Sequence, residues 1–375
     1  MKLVILGAGA SFDSVYDFFY GKEIMPWRPP LANELFDTRE EFLGVIHNYP
    51  GGKYYLSQLN AIQDIEDFFQ KQWHFIRNNR AIDLAAAFIN LNYCLSGLMY
   101  KVSSNYQNIG LSNYDLLVQK AYEYAINKKE DVIFVSFNYD TLLEHAVSKI
   151  YFGDNRKLDI KEYIKFPLKI IKPHGSCNWV KRFNKNFKAP DSKNISDFLF
   201  ETKMTLREIN RNIEPEIYTV DNPLTGIYYG EPNETWKCFP QILIPLKDKD
   251  DFILPEAHAE YLNNNIWKTN EIMIVGWKGT EAKFQQLLAN SLGEKKIKIT
   301  SINAGFNQIE NVLKPFIPGA EFYHFTEPFS MQKYINTKVN YSSEEHRRLI
   351  YHKSGTFSSY MLNILNKNFE SFFKL

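Results

Sequence analysis

A chain of 375 residues that is 45% hydrophobic and 15% aromatic has ample apolar surface for a large core, which excludes disorder of the whole chain. Its length fits two to three units of about 150 residues, or one elaborated α/β domain. The 44 basic and 43 acidic residues leave a formal net charge of +1, so no global field indicates nucleic acid or an anionic membrane as a partner.

The first predicted element is a short buried strand over residues 3–6. It imitates the start of a secretory signal, but its apolar stretch is shorter than the roughly 7 to 15 residues that such a signal needs. The longest uninterrupted apolar run, residues 84–89, is also far shorter than the about 20 residues of a membrane span. We therefore expect no segment that crosses a membrane.

The three cysteines, Cys94, Cys177 and Cys238, are widely separated and include no CxxC pair. This spacing excludes a structural zinc ribbon and a disulfide framework. Because unpaired cysteines are typical of a reducing compartment, we expect a cytoplasmic protein.

A large, mostly helical insertion is predicted after the first strand, over about residues 14–127, because this region shows no convincing strand. Within it, apolar residues recur at three- and four-residue spacing from Ile62 to Ile76, as in an amphipathic helix. Ser112 and Asp115 have the spacing of a capping box, which opens a helix ending near Asn127. That helix leads into the next strand.

Further short apolar runs predict strands that are buried on both faces, as in a parallel sheet. A smaller insert is predicted over about residues 181–229, where the apolar period is lost. The fold class is therefore α/β, with one domain over residues 1–330 and a helical tail over residues 331–375. The predicted strands after the first are residues 132–137, 168–171, 242–244, 272–275, 297–302 and, less clearly, 322–325.

Polar and glycine-rich segments follow five of these strands, and in an open α/β sheet the ligand crevice lies beyond the carboxyl ends of the strands. Gly7, Ala8, Gly9 and Ser11 form a strand-to-helix turn whose free N–H groups suit a pyrophosphate. Phe12 stands where the ordinary dinucleotide fingerprint has glycine, which disfavours a standard dehydrogenase. The alternative is a tight turn whose glycines serve the backbone geometry alone.

Two polar residues, Asn138 and Asp140, follow the second strand. An amide both donates and accepts hydrogen bonds, so Asn138 is a candidate for orienting a ribose hydroxyl or a water molecule. The alternative is an Asx turn in which Asp140 caps a helix over residues 141–150.

His174 follows the third strand and is the best acid/base candidate, because the ordinary histidine pKa of about 6.5 suits proton transfer near neutrality. The alternative is a structural histidine. The other histidines show no HxxxH or HExxH spacing, so no metal site is expected. Ser11 and Ser176 lack the Gly-x-Ser-x-Gly context of a hydrolase nucleophile.

Taken in order, residues 7–11, 137–140 and 173–175 resemble the glycine-rich loop, the N-x-D segment and the catalytic His-Gly of the sirtuin family. Residues 30–36, 64–68 and 136–144 resemble the bacterial sirtuin-like domains of anti-phage defence proteins. The resemblance spans about residues 1–325. It implies a Rossmann-like parallel sheet flanked by helices, with a site for NAD.

The resemblance also implies roles for individual residues. Asn138 positions the nicotinamide ribose or the attacking water, and His174 is the base that acts on a ribose hydroxyl or on that water. Peptide deacylation is disfavoured, because the four-cysteine zinc module of the deacetylating members is absent. The residues expected to bind NAD are Gly7, Ala8, Gly9 and Ser11 in the turn, Asp140 near the nicotinamide amide, Gly175, and Gly276 and Asn303 on the adenosine side.

The function expected from this resemblance is an NAD glycohydrolase that cleaves NAD, its substrate, to nicotinamide and ADP-ribose, as a defence effector that depletes NAD when activated. Constitutive activity would poison the host, so control is expected through homo-oligomerisation or a partner such as a HerA-type ATPase or an Argonaute-like protein. Direct binding of nucleic acid is not expected. The alternatives are a non-catalytic module that binds NAD or ADP-ribose in a partner complex, and an ADP-ribosyltransferase.

Overall fold

The computed structural model describes residues 1–14, 25–59, 62, 64–106, 112–190, 194–224, 226–229, 235–247, 252–302, 308–325, 357–358, 360–361 and 372–373. Its strands are β1 Lys2–Leu6, β2 Val132–Ser136, β3 Leu168–Ile171, β4 Gly175–Arg182, β5 Tyr218–Thr219, β6 Ile227–Tyr229, β7 Thr235–Ile242, β8 Glu271–Val275, β9 Lys298–Ile302 and β10 Glu321–His324. Its helices are α1 Ala8–Phe12, α2 Glu40–Ile46, α3 Pro50–Leu59, α4 Ile65–Asn79, α5 Ile82–Tyr106, α6 Asn113–Lys128, α7 Leu142–Phe152, α8 Ile195–Glu201, α9 Leu206–Asn212, α10 Glu256–Asn265, α11 Ala282–Leu292 and α12 Gln308–Leu313.

Six strands form a parallel sheet in the order β10-β9-β8-β1-β2-β3. β1 lies in the middle, with Leu6 level with Ser136 of β2 and with Val275 of β8. The order reverses between β1 and β8, which is where the ligand crevice opens in sheets of this kind. The predicted Rossmann-like parallel sheet flanked by helices is confirmed.

The side chains of the parallel sheet alternate between two apolar cores. Val4 and Leu6 pack on the face covered by α6 and α7, whereas Leu3 and Ile5 pack on the face covered by α11. All five residues of β1 are buried. Burial on both faces explains why these strands appear in the sequence as continuous apolar runs.

A second layer consists of the helical insertion and an antiparallel sheet in the order β5-β4-β7-β6. The long helix α5 packs against β4 and β7. From this helix, Ser96 Oγ donates to the carbonyl of Cys177 at 2.6 Å, and Tyr93 OH donates to the carbonyl of Cys238 at 2.7 Å. The insertion therefore shares one apolar core with the antiparallel sheet.

The strand predicted over residues 242–244 is wrong, because Ile242 ends β7 of the antiparallel sheet and residues 243–244 follow that strand. Its apolar side chains are buried against the helical insertion. The smaller predicted insert starts inside β4 and holds α8, α9, β5 and β6. β4 has no run of β-branched residues, although its first six residues are buried, so the sequence pattern does not mark it.

Both helices predicted in the insertion are present, and the capping box predicted at Ser112 is confirmed. Ser112 N donates to Asp115 Oδ2 at 2.8 Å, and Asp115 N donates to Ser112 Oγ at 3.1 Å, which completes the capping box of α6. The amphipathic helix α4 starts at Ile65 and not at Ile62, because the side chain of Asp64 caps it by accepting from Asp67 N at 3.0 Å.

In the part of the chain that the structure describes, α5 is long and apolar enough, by length and composition alone, to cross a membrane. In its most apolar window, 78% of the residues are buried inside the protein, as in the central helix of a folded domain.

Described residues of the predicted C-terminal tail pack on the α6 side of the parallel sheet. The ring of Phe357 meets Tyr114 edge to face, with centroids 5.9 Å apart. Ser358 N and Oγ each donate to a carboxylate oxygen of Asp13 at 2.8 Å. The predicted tail otherwise lies outside the described residues, apart from Tyr360, Met361, Phe372 and Phe373, which are buried in the same core.

Candidate active site

A cavity of about 400 Å³ opens beyond the carboxyl ends of β1, β2 and β8. This volume is in the range of small-molecule and cofactor sites. The second layer closes it with residues 30–35, Glu66, Met99 and Pro245. Eight of the ten predicted site residues line it: Gly7, Ala8, Gly9, Ser11, Asn138, Asp140, His174 and Gly276.

Asn138 is held by two hydroxyl groups. Its Nδ2 donates to Ser11 Oγ at 2.8 Å and to Tyr114 OH at 3.2 Å, and the two hydroxyl oxygens are 2.9 Å apart. Burial raises the pKa of Tyr114, which keeps this hydroxyl protonated. These two bonds fix the amide of Asn138, a residue that lines the cavity.

Asp140 forms the Asx turn that was one of the two alternatives in the sequence, and it also lies at the cavity. Its Oδ1 accepts from Leu142 N at 3.2 Å, which makes an Asx turn at the start of α7. The same side chain lines the cavity. Its contact with a ligand remains a prediction.

His174 is buried beside the cavity, with 2% of its surface exposed. Its carbonyl accepts from Leu243 N at 2.9 Å, which fixes the backbone where β3 passes into β4. The imidazole packs edge-on against Phe137, with ring centroids 4.9 Å apart. Its Nε2 lies 3.9 Å from Glu281 Oε1. The structure thus brings His174 and Asn138 to one cavity, while their catalytic roles remain predictions.

The glycines of the turn after β1 are required by its packing against the turn after β8. A Cβ on Gly7 would lie 2.5 Å from the Gly276 carbonyl oxygen, and a Cβ on Gly9 would lie 2.8 Å from Gly276 Cα. Gly7 N donates to Val275 O at 2.9 Å, and Gly9 N donates to Gly276 O at 3.1 Å. The N–H groups of Gly7 and Gly9 are therefore used by backbone packing and are not free as predicted, while binding of NAD by this turn remains a prediction.

Two predicted binding residues are not among those lining the cavity. Asn303 lies outside the described residues. Gly175 begins β4 with φ +76°, and a Cβ on it would lie 2.1 Å from the Gln241 carbonyl oxygen. The close approach of β7 therefore accounts for this glycine without any ligand.

Replacing Gly175 with alanine is expected to lower the free energy of unfolding by about 2 to 4 kcal/mol. A left-handed φ costs an alanine about 1 kcal/mol, and forcing a methyl group against fixed backbone adds about 1 to 3 kcal/mol. Gly153 is the matched control, because its φ is +77° and a Cβ there has no atom within 4 Å. Gly153→Ala should cost about 1 kcal/mol. Urea unfolding of both variants measures the difference, and equal losses would contradict the steric explanation.

A fully buried ammonium group lies beneath the segment that carries Asn138. Lys172 Nζ donates to the carbonyl oxygen of Asp140, to Glu144 Oε1 at 2.7 Å and to Ser176 Oγ at 2.9 Å. These bonds use all three hydrogens of the ammonium group. Burial raises the pKa of Glu144, and the charge of Lys172 opposes that rise. The network fixes the backbone between Asn138 and α7.

The charged side chains at the cavity are mostly acidic. In the described lining, four carboxylates face one lysine, in addition to the imidazole of His174. Carboxylates in a partly buried cavity favour positive charge on a bound molecule. These charged residues are Glu34, Glu66, Asp140, Glu281 and Lys278.

Within the described ranges, no three His, Cys, Asp or Glu side chains are grouped as metal ligands. Burial raises the pKa of the Cys94 and Cys177 thiols to about 12, so neither is a thiolate near neutral pH. The expectation that the protein binds no metal remains a prediction.

No protein-family model matches the chain, and no curated protein matches it. Among solved structures, the chain is similar to a Sir2 homologue in complex with NAD, with 13% sequence identity, a TM-score of 0.38 and coverage of 86% of this chain and 83% of that chain. It is also similar to a mutant Sir2 homologue in complex with ADP-ribose, with 11% identity, a TM-score of 0.37 and coverage of 90% and 95%. We therefore infer the function of this chain from the side chains that line its own cavity.

Several residues at this site were not predicted from the sequence. Tyr114 is two positions into the segment predicted as a capping box, and nothing in the sequence marks its hydroxyl as a partner of Asn138. Trp277 and Glu281 also line the cavity and follow β8. Their position after the end of a strand was the one feature of the sequence that could have indicated them. Residues 30–35 and Glu66 also line the cavity. They belong to the segments 30–36 and 64–68, which resemble sirtuin-like domains.

Proposed function

We propose that this protein is an NAD glycohydrolase that cleaves NAD to nicotinamide and ADP-ribose. The observation that carries the proposal is the position of Asn138 and His174, which line one cavity at the switch point of the parallel sheet. An amide acceptor and an imidazole on one cavity are the two groups that fixing a ribose and deprotonating a hydroxyl require.

Cleavage of the bond between ribose C1′ and nicotinamide needs little acid assistance, because the positively charged ring is already a good leaving group. The transition state resembles an oxocarbenium ion, as in glycoside hydrolysis. Carboxylates at the cavity favour that positive charge, and the amide of Asn138, which lines the same cavity, would hold a ribose hydroxyl or the water. His174 then accepts the proton of that hydroxyl or water, and water supplies the oxygen of the ADP-ribose hydroxyl.

The biological setting is part of the same proposal. Depletion of NAD by an activated effector suits anti-phage defence in the cytoplasm, and it requires that the resting protein be held inactive. Homo-oligomerisation, or a partner of the HerA-type ATPase or Argonaute-like class, would supply that control.

The test is to incubate the purified protein with NAD, alone and together with the product of the neighbouring gene, and to separate the products by chromatography. Equal amounts of nicotinamide and ADP-ribose are expected. Protein carrying His174→Ala and purified in parallel provides the blank for contaminating hydrolases. Tight binding of NAD without turnover under every condition would instead favour the regulatory module, and transfer of labelled ADP-ribose to a macromolecule would favour the transferase.

A further inference from the structure

Glu281, which no motif singled out, lies against the imidazole of His174. The two side chains are buried on the same cavity, with 9% of Glu281 and 2% of His174 exposed. Glu281 Oε1 is 3.9 Å from His174 Nε2. This distance is longer than a hydrogen bond, so the carboxylate acts on the imidazole through its charge.

The carboxylate of Glu281 is held in place by an indole group. Trp277 Nε1 donates to Glu281 Oε2 at 2.6 Å, which leaves Oε1 on the side of His174. Trp277 is itself fixed by stacking on Phe137, with centroids 5.4 Å apart and planes 6° apart. Phe137 also packs on His174, so the donor, the carboxylate and the imidazole belong to one rigid group.

We propose that Glu281 is a positioning residue that raises the basicity of His174 for the cleavage of NAD. This inference rests on the proposed function, in which His174 is the base. A carboxylate within about 4 Å stabilises the imidazolium form that His174 adopts when it takes the proton from a ribose hydroxyl or from water. The proton is returned to solvent after the products form, so the pair is unchanged over one cycle.

The other titratable groups that line the described part of the cavity do not face the imidazole of His174 as Glu281 does. Tyr139 packs its ring 6.2 Å from the imidazole, and the charges of Glu66 and Glu281 help burial to raise its pKa, so it stays neutral near pH 7. Asp140 turns toward α7 through its bond to Leu142 N. Across the described lining, Glu281 is the carboxylate within 4 Å of His174, while Glu34, Glu66 and Lys278 line other parts of the cavity.

The test measures the titration of His174 directly, by NMR of protein labelled in its histidines, with His174→Gln to assign the signal. In Glu281→Gln the midpoint is expected to fall by about one pH unit or more, because the anion that favours imidazolium is gone. Glutamine keeps an acceptor for Trp277 Nε1. Trp277→Phe retains the stacking on Phe137 and frees the carboxylate, so a smaller fall is expected. Glu66→Gln removes one charge from the same cavity and should leave the midpoint near its wild-type value.

The kinetic counterpart is the pH profile of NAD cleavage. Its acid limb should move to lower pH in Glu281→Gln by the same amount as the midpoint, with a lower plateau, because a weaker base accepts the proton less readily. A midpoint that does not move in Glu281→Gln, or that moves equally in Glu66→Gln, would overturn the assignment. So would a His174 that keeps one protonation state from pH 5 to 9 in both proteins. A shifted midpoint in a protein without turnover would contradict the proposed function alone, since the titration is recorded without NAD.

Discussion

His174→Ala is expected to reduce the rate of NAD cleavage by about 10²- to 10⁴-fold, the usual contribution of a general base. Asn138→Ala is expected to cost about 10²-fold, because the substrate and the water lose their orientation. We expect neither role to be taken over nearby. In the described lining, Glu281 Oε1 lies 3.9 Å from His174 Nε2, and Ser11 and Tyr114 use their hydroxyls to hold Asn138.

A matched control for these variants is a second buried histidine. His258 Nε2 lies 2.9 Å from the Ile160 carbonyl oxygen, and burial lowers its pKa to about 4, so it is neutral at the assay pH. It is not among the cavity-lining residues. His258→Gln should therefore retain the wild-type rate, with thermal unfolding as the check that each variant is folded. Wild-type turnover in both His174→Ala and Asn138→Ala would remove the mechanism.

The parallel sheet could be predicted because its strands are short, apolar and buried on both faces, a pattern that needs no knowledge of the partner strands. The antiparallel sheet could not be predicted in this way. β4 contains Ser176, Asn178 and two cationic residues, so it shows no apolar pattern. Its burial depends on α5, which ends at Tyr106, far earlier in the chain. Pairings that distant leave no local period in the sequence.

The site was partly predictable for a related reason. Residues that follow parallel strands meet at one edge of the sheet, so the positions of Asn138, His174 and Gly276 on one cavity could be predicted because each follows a predicted strand. Tyr114 and Glu281 come from helix starts, and their closeness to Asn138 and His174 depends on how those helices are docked. Gly7 and Gly9 predicted a phosphate-binding turn, and the close backbone of Gly276 is a further reason for glycine at both positions, which strand positions alone do not reveal.

Lys172→Met is expected to lower the free energy of unfolding by about 3 to 5 kcal/mol, the usual cost of removing one partner of a buried ion pair. Lys172 is fully buried, and its loss would leave the buried Glu144 carboxylate without its cationic partner and the Asp140 carbonyl without the ammonium donor. Burial already raises the pKa of Glu144. A carboxyl whose pKa is higher in the folded protein is stabilising while protonated, and that stability disappears as pH rises through the folded pKa. The variant should therefore lose more stability at pH 8 than at pH 5.

The control lies on β3, just before Lys172 in the chain. Lys169 pairs with Asp131 at 3.7 Å, but the Asp131 side chain is 39% exposed. Lys169→Met therefore leaves no unpaired buried charge, and it should lower the free energy of unfolding by about 1 kcal/mol or less. The double variant Lys172→Met/Glu144→Leu removes both buried charges and should be more stable than Lys172→Met, because apolar side chains often replace a buried pair at little cost. Urea unfolding at the two pH values measures all of these proteins. If Lys172→Met cost no more than Lys169→Met, or if the double variant were the least stable, the ammonium group would not be what fixes the segment carrying Asn138.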